Sequence, residues 1–265
     1  MTQDREPSIV VGYDGSDQAA DAVALGELLA EVLGATPEVV TVTGSPAASG
    51  LEELALAHDA ELLVVGSSHR GPVGRILPGS VGRRLLDGAP CPVAIAPRGF
   101  ASEPRHIRAV TVGFDGTEGA VEAVEAAAAL ALAAGAMLRI VAVVDTFGHA
   151  YLGPERVRVI HAIREELGER LDAVLEIVPP DLDCEARLRS GPVTRTLLGE
   201  VAEGVDLLVL GSRSFGPLGS VLIGSVSSEL VESSPVPLLI VPRGLRRPAF
   251  GRAGARNFAH TPEKE

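Results

Sequence analysis

The chain of 265 residues has no tryptophan, two tyrosines and six phenylalanines, so aromatics supply only 3% of it while 46% is hydrophobic. Its core must be assembled from Ala, Val, Leu and Ile, a composition suited to helices packed on a buried parallel sheet. There are two cysteines, Cys91 and Cys184, at places that no internal repeat relates, which excludes a disulfide framework. The six histidines (58, 69, 106, 149, 161 and 260) form no repeated pattern, and no Cys/His spacing suggests a metal site. No apolar run approaches the roughly 20 residues of a membrane span. Residues 1–7 lack the charge pattern and apolar stretch of a signal peptide, so a cytoplasmic location is expected. Positive charge is also scarce: 23 Lys and Arg stand against 35 Asp and Glu, a net charge of −12. That argues against nucleic acid or acidic lipid as the main partner, because binding either needs clustered cations. It leaves room for a small anion held locally by backbone N–H groups. The one basic cluster, Arg243, Arg246 and Arg247, opens a stretch rich in Gly, Arg and Pro, and residues 246–265 are expected to be a disordered tail.

What the chain has is a duplication. Val10-Val11-Gly12-Tyr13-Asp14-Gly15-Ser16 returns as Thr111-Val112-Gly113-Phe114-Asp115-Gly116-Thr117. Gly66-Ser67, Gly79-Ser80-Val81 and Arg98-Gly99 return as Gly211-Ser212, Gly224-Ser225-Val226 and Arg243-Gly244. The offset is 101 residues at the first pair (14 to 115) and 145 at the later ones (66 to 211, 99 to 244), so the second copy carries 44 extra residues. Two domains follow, residues 1–100 and 101–245.

In the second copy, short apolar runs alternate with helical patterns. Strands are expected at 108–114, 138–144, 184–189, 206–210 and 237–241, with helices at 120–134, from 157 to about 174, at 193–203 and at 225–233. Alternation with short connections implies a right-handed, doubly wound parallel α/β sheet of five strands. The first copy has four. Aligning Ser45-Pro46 with the Gly191-Pro192 turn places Val39–Thr43 opposite Ala186–Ser190 and removes the second strand and second helix. Aligning the first helices instead removes the second helix and the third strand. Both readings stay open.

Gly66 and Gly211 each follow a strong strand, at the carboxyl edge where parallel sheets bind ligands. Each segment ends in Gly-Ser at a helix start, Gly79-Ser80 and Gly224-Ser225. A helix N-terminus presents unpaired N–H donors and partial positive charge, and the Ser hydroxyl can cap the helix or bond a phosphate oxygen. Asp14 and Asp115 sit on the same edge and could hold a ribose hydroxyl or Mg²⁺. The plain alternatives are a helix cap and a turn. Gly74-x₄-Gly79-Ser80 and Gly219-x₄-Gly224-Ser225 lack the Lys of a P-loop, and Pro78 rules out a nucleophile elbow at Ser80.

With these motifs, residues 8–244 resemble a tandem universal stress protein of the kind common in actinobacteria. The resemblance implies Rossmann-like domains of the adenine-nucleotide alpha-hydrolase group and ATP, with or without Mg²⁺, as cofactor. The family signature Gly-x₂-Gly-x₉-Gly-Ser/Thr keeps its frame in both copies, but its middle Gly is His69 in the first and Ser214 in the second; Gly71 and Gly216 lie two residues on. If that position needs positive φ, a non-Gly residue costs on the order of 1–3 kcal/mol, roughly five- to 150-fold in affinity. By resemblance, Asp115 and Gly116 lie near ribose and metal, and the Val143 backbone pairs with adenine. Gly211 and Ser212 lie against the ribose, Ser214 and Gly216 belong to the loop, and Gly224, Ser225 and Val226 face the phosphates. In the first copy Asp14, Gly66, Gly79, Ser80 and Val81 match, with the adenine-contacting strand expected to be missing or displaced.

The expected function is a non-enzymatic stress or signalling regulator binding ATP in its C-terminal copy, the N-terminal copy being degenerate; no residue resembles an efficient catalytic base. The alternative is a stress protein that binds no nucleotide and acts through protein contacts. The Pro-flanked last strands, from Pro92 and from Pro237, are expected to join the copies as an internal pseudo-dimer. Two chains could pair further as a homodimer through the remaining edges.

Overall fold

The computed structural model describes residues 8–41, 47–68, 73–102, 105–146, 155–212, 221, 223–245 and 249–250. Strands β1 (Ser8–Tyr13) and β5 (Ala109–Phe114) each lead into a 17-residue helix, α1 (Asp17–Leu33) and α4 (Glu118–Ala134). Ser16 and Thr117 cap these helices: each hydroxyl accepts from the backbone N–H three residues on, at Ala19 (3.2 Å) and Ala120 (3.3 Å). Both end at a left-handed glycine, Gly34 (φ 63°) and Gly135 (φ 62°), where a side chain would be strained.

The connections return the chain to a strand beside its starting one, β2 (Thr36–Thr41) beside β1 and β6 (Met137–Asp145) beside β5. Ser8 stands opposite Thr36 and Ala109 opposite Met137, a spacing of 28 residues in both copies. Strand β2 therefore occupies the slot of β6, which decides between the two alignments. The first copy lacks the counterparts of α5 (Arg156–Leu175) and of the edge strand β7 (Cys184–Gly191). Placing Val39–Thr43 opposite Ala186–Ser190 is thus corrected, as is the expectation of a missing or displaced adenine-side strand. The physical reason is that a right-handed crossover through an unchanged first helix must come back to the same slot, whatever follows it.

The first copy continues through α2 (Ala47–Ala57), β3 (Leu62–Gly66), α3 (Ser80–Leu85) and β4 (Val93–Ala96). The second continues from β7 through α6 (Val193–Val201), β8 (Leu207–Gly211), α7 (Ser225–Val231) and β9 (Leu238–Val241). The nine strands of the described residues form one sheet in the order β2-β1-β3-β4-β9-β8-β5-β6-β7. Every neighbouring pair is parallel except β4 with β9, where Val93 faces Ile240 and Ile95 faces Leu238 in antiparallel register. One apolar layer, under α1, α4 and α5, and another, under α2, α3, α6 and α7, each run through both copies.

Two places hold chain segments tightly to this sheet. A Cβ on Gly66 would lie 2.1 Å from the Gln18 carbonyl oxygen, and one on Gly211 would lie 2.6 Å from that of Gly119. The strand ends β3 and β8 thus carry glycine because the first turns of α1 and α4 press onto them. Past β9, Phe250 is 1% exposed and joins the layer under α1 and α4, with Leu245 and Ala249 packed beside it. The expectation of a disordered tail from residue 246 fails at this ring, whose burial removes more apolar surface than the polar composition around it suggested. Residues 246–248 and 251–265 lie outside the described residues.

Phe250→Ala is expected to lower stability by about 3–5 kcal/mol, read from the midpoint of denaturant unfolding. Gly66→Ala and Gly211→Ala should each cost about 1–3 kcal/mol or more, because backbone must shift to admit the methyl group. Gly224→Ala, with nothing within 4 Å of its Cβ position, should lose only the N-cap preference of Gly over Ala, under about 1 kcal/mol.

Candidate functional site

Strand order reverses beside β1 in the first copy and beside β5 in the second: chain goes to one face of the sheet through α1 or α4 and to the other through α2 or α6. The crevice between β1 and β3, and between β5 and β8, is the switch point at which open α/β sheets take ligands. In the first copy this crevice is a cavity of about 860 Å³, and Asp14, Gly66, Gly79, Ser80 and Val81 all line it. Gly12, Ala47, Leu51 and Val65 give it apolar wall, and Arg83 is the one cation among its described lining residues. The shortened copy, expected to be degenerate, thus retains a cleft at its switch point. The missing α5 and β7 lie on the far side of β2 and never formed this wall.

Asp14 serves the cap before any ligand. Its Oδ1 accepts from the Ser16 N–H (3.1 Å) and hydroxyl (2.6 Å), and Ser16 in turn caps α1. Among the described residues its Oδ2 takes no hydrogen bond. Asp115 repeats this with Thr117, at 3.0 and 2.6 Å. The cap positions of α3 and α7 are Gly79 and Gly224, both with ordinary extended backbone and neither able to cap with a side chain. Ser80 and Ser225 therefore stand one residue inside their helices and do not cap them. Their first-turn N–H groups have no acceptor within the helix.

In the second copy Gly116, at φ 79°, gives its carbonyl to Arg170 Nη1 of α5 (2.8 Å), an element the first copy lacks. Val143 stands in β6 opposite Arg189 of β7. Gly211 ends β8, and Ser212 is buried, its N–H bonded to the Val241 carbonyl and its hydroxyl accepting from the Arg243 N–H. Gly224 and Ser225 line a second cavity, about 360 Å³, together with Pro78, Arg83, Leu86 and Asp87 of the first copy. Val226 follows them in the first turn of α7. Ser214 and Gly216, like His69 and Gly71, lie outside the described residues.

Two groups went unread in the sequence. Glu122 of α4 accepts the Gly244 N–H at both carboxylate oxygens (2.9 and 2.8 Å), and Asp21 of α1 accepts the Gly99 N–H at Oδ2 and the Ala101 N–H at Oδ1 (2.8 Å each). These acids anchor the segments that leave β9 and β4. Burial pushes the Glu122 carboxyl above its usual range, against the opposing effect of the Gly244 N–H. On α6, Glu200 is 4% exposed, and burial alone would raise its pKa; bonds from Arg189 (2.6 Å) and Arg187 hold it below the usual range instead. Arg139, also buried, lies 3.5 Å from Glu185 and 3.9 Å from Glu200. Both groups were visible only as copy differences: Asp21 against Glu122, and Ala55 against Glu200.

Among the described residues no cluster of three His, Cys, Asp or Glu could hold a metal ion alone, and no helix is long and apolar enough to cross a membrane.

A profile of the Universal stress protein family matches residues 27–97 and 106–242. A universal stress protein of Mycobacterium tuberculosis is 29% identical over 204 residues, 73% of this chain and 68% of that protein. A second one from the same organism is 32% identical over 195 residues, 70% of this chain and 63% of its own length. Among solved structures, a universal stress protein of Archaeoglobus fulgidus superposes with a TM-score of 0.61 at 19% identity, covering 89% of this chain and 98% of that one. A functionally unknown protein of Pseudomonas aeruginosa superposes equally well, 0.61 at 15% identity over 96% of this chain and 98% of its own. These two structures share the fold. With the profile matching each copy in turn, the chain belongs to the universal stress protein family.

Proposed function

We propose that this chain is a non-enzymatic regulator that binds an adenine nucleotide, ATP with Mg²⁺, at the switch-point clefts of its copies. The observation that carries the reading is the convergence of Asp14, Gly66, Gly79 and Ser80 on one cavity of about 860 Å³. Each was singled out by its place after a strand or before a helix. A cavity of that size falls within the roughly 300–1,000 Å³ of small-molecule sites. Its apolar wall suits a base. The α3 first-turn N–H groups and the Ser80 hydroxyl suit phosphate oxygens. Asp14, through the carboxylate oxygen that the cap leaves over, suits a ribose hydroxyl or Mg²⁺. With one carboxylate among the described residues that line the cleft, the metal would be held mainly through phosphate oxygens and water, the usual manner of Mg²⁺ at nucleotides.

The C-terminal copy carries the corresponding set, Asp115, Gly116, Gly211, Gly224, Ser225 and Val226, and adds Val143 at the end of a longer second strand. We assign it a second site, so the first copy is not a mere scaffold. Occupancy of the two sites, set by the cellular adenylate level, would be the regulatory signal.

Calorimetric titration of nucleotide-stripped protein with MgATP tests this. Two sites per chain are expected, one removed by Gly79→Trp and the other by Gly224→Trp. Both positions have ordinary φ and no atom closer than 3.9 Å to a new Cβ, so a side chain can start there without backbone strain, and the unfolding midpoint of each variant checks that the fold is kept. Absence of heat at millimolar MgATP would overturn nucleotide binding and leave the reading in which the protein works through protein contacts alone.

A further inference from the structure

The two copies differ at the seam where α3 and α7 meet. The 360 Å³ cavity there is lined in pairs related by the 145-residue offset: Pro78 with Ile223, Arg83 with Ser228, Leu86 with Val231, and Asp87 with Glu232. Only one of the two possible cross-seam ion pairs exists. Arg83 Nη2 donates to Glu232 Oε1 at 2.9 Å, while the related positions hold Ser228 and Asp87, which cannot form one. A staple serving only to hold the seam could have been kept on both sides.

Arg83 has a second address. It is the one cation among the described residues lining the large first-copy cleft, and it stands three residues after Ser80, hence on the same face of α3 as the phosphate-facing turn. Its bond to Glu232 is poorly committed. The two side chains are 56% and 48% exposed, and such pairs contribute only about 0–1 kcal/mol. A polyphosphate offers a guanidinium more negative charge and bidentate geometry.

We propose that Arg83 is the residue by which the first-copy cleft reads the outer phosphates of its nucleotide, and that Glu232, from the other copy, competes for it. This rests on the nucleotide reading above. The guanidinium is parked on Glu232. A nucleoside triphosphate draws it into the cleft, whereas a monophosphate or a nucleoside ends short of it. The site thereby prefers triphosphate to monophosphate, and its occupancy releases a carboxylate into a seam cavity that already holds Asp87.

The test uses the full chain and the titration component that Gly79→Trp removes. Arg83→Gln should weaken MgATP binding there about tenfold or more, as loss of a charge-assisted hydrogen bond does, and leave AMP within about threefold. Glu232→Gln should strengthen MgATP binding by a few-fold, because the competitor is gone. A purely structural role for the pair predicts the opposite for Glu232→Gln, so weaker ATP binding in that variant overturns the proposal. Equal loss of ATP and AMP affinity in Arg83→Gln also overturns it. A wild-type protein that binds neither nucleotide fails the functional reading itself, a result distinct from both.

Discussion

Everything in this molecule depends on one short antiparallel contact, the pairing of β4 with β9. Val93, Ala94 and Ile95 face Ile240, Leu239 and Leu238, and all six are fully buried. Alternate side chains feed both apolar layers: Ala94 and Leu239 join the layer under α1 and α4, and Val93 and Ile240 join the one under α3 and α7. Separated copies would each expose a four-residue, wholly apolar edge strand, the kind of edge that recruits foreign strands. Joining the copies in one chain makes the pairing intramolecular and supplies a high effective concentration at no cost in new contacts. Pro92 and Pro237 fit this use. Each precedes its strand and gives its carbonyl to the neighbouring parallel strand, to Leu63 N–H (2.9 Å) and Leu208 N–H (3.0 Å), where no N–H of its own is required.

The loss of α5 and β7 from the first copy reaches beyond the missing elements. With β7 in place, Arg139 of β6 is 5% exposed and survives only inside a network with Glu185 and Glu200, because a buried charge without partners is destabilising by several kcal/mol. Where β7 is missing, the equivalent position on β2 is Glu38. It sits at the open edge of the sheet and pairs with His58 at 2.7 Å, both side chains well exposed. The helix residue equivalent to Glu200 is Ala55, 2% exposed. His58 itself matches Glu203, which bonds Arg187 in the second copy. The strand position has changed from a cation to an acid, and the helix acid that needed three arginines has become a methyl group. An interior edge and an exterior edge impose different chemistry on the same slot.

The duplication offsets made the sheet legible, because strands recurring 101 and 145 residues apart must occupy equivalent slots. Asp14, Gly66, Gly79 and Ser80 were legible for a related reason: the ends of adjacent parallel strands and the helix that follows converge at the switch point wherever the topology holds. Which strand the first copy lost was not legible, since α2 follows a turn that resembles the entry to α6 under either alignment. Only the register of β2 against β1, a contact between distant residues, decides it. The Arg83–Glu232 pair spans 149 residues and two copies, so no local pattern announces it. Phe250 was misread because burial is set by the surface that receives a ring, here the layer beside α1 and α4, and not by the polarity of its chain neighbours.

The two readings of Asp-Gly-Ser and Asp-Gly-Thr, cap or ligand group, turn out not to compete. A free aspartate recruited by a nucleotide must lose rotamer freedom at the moment of binding, a cost that subtracts from affinity. Asp14 has lost that freedom on folding, because two hydrogen bonds to its Oδ1 tie it to the residue that caps α1. The cap is needed for the 17-residue helix that covers β1, so folding already bears the cost of fixing the carboxylate. What remains for the cleft is a preplaced anion with one oxygen uncommitted among the described residues, held rigid by the fold's own helix start. The same arrangement at Asp115 follows from the same need of α4. A copy could lose its ligand and still keep this aspartate for the sake of its first helix. The proposed binding therefore rests on the cleft that Asp14 shares with Gly79, Ser80 and Arg83, and not on the aspartate alone.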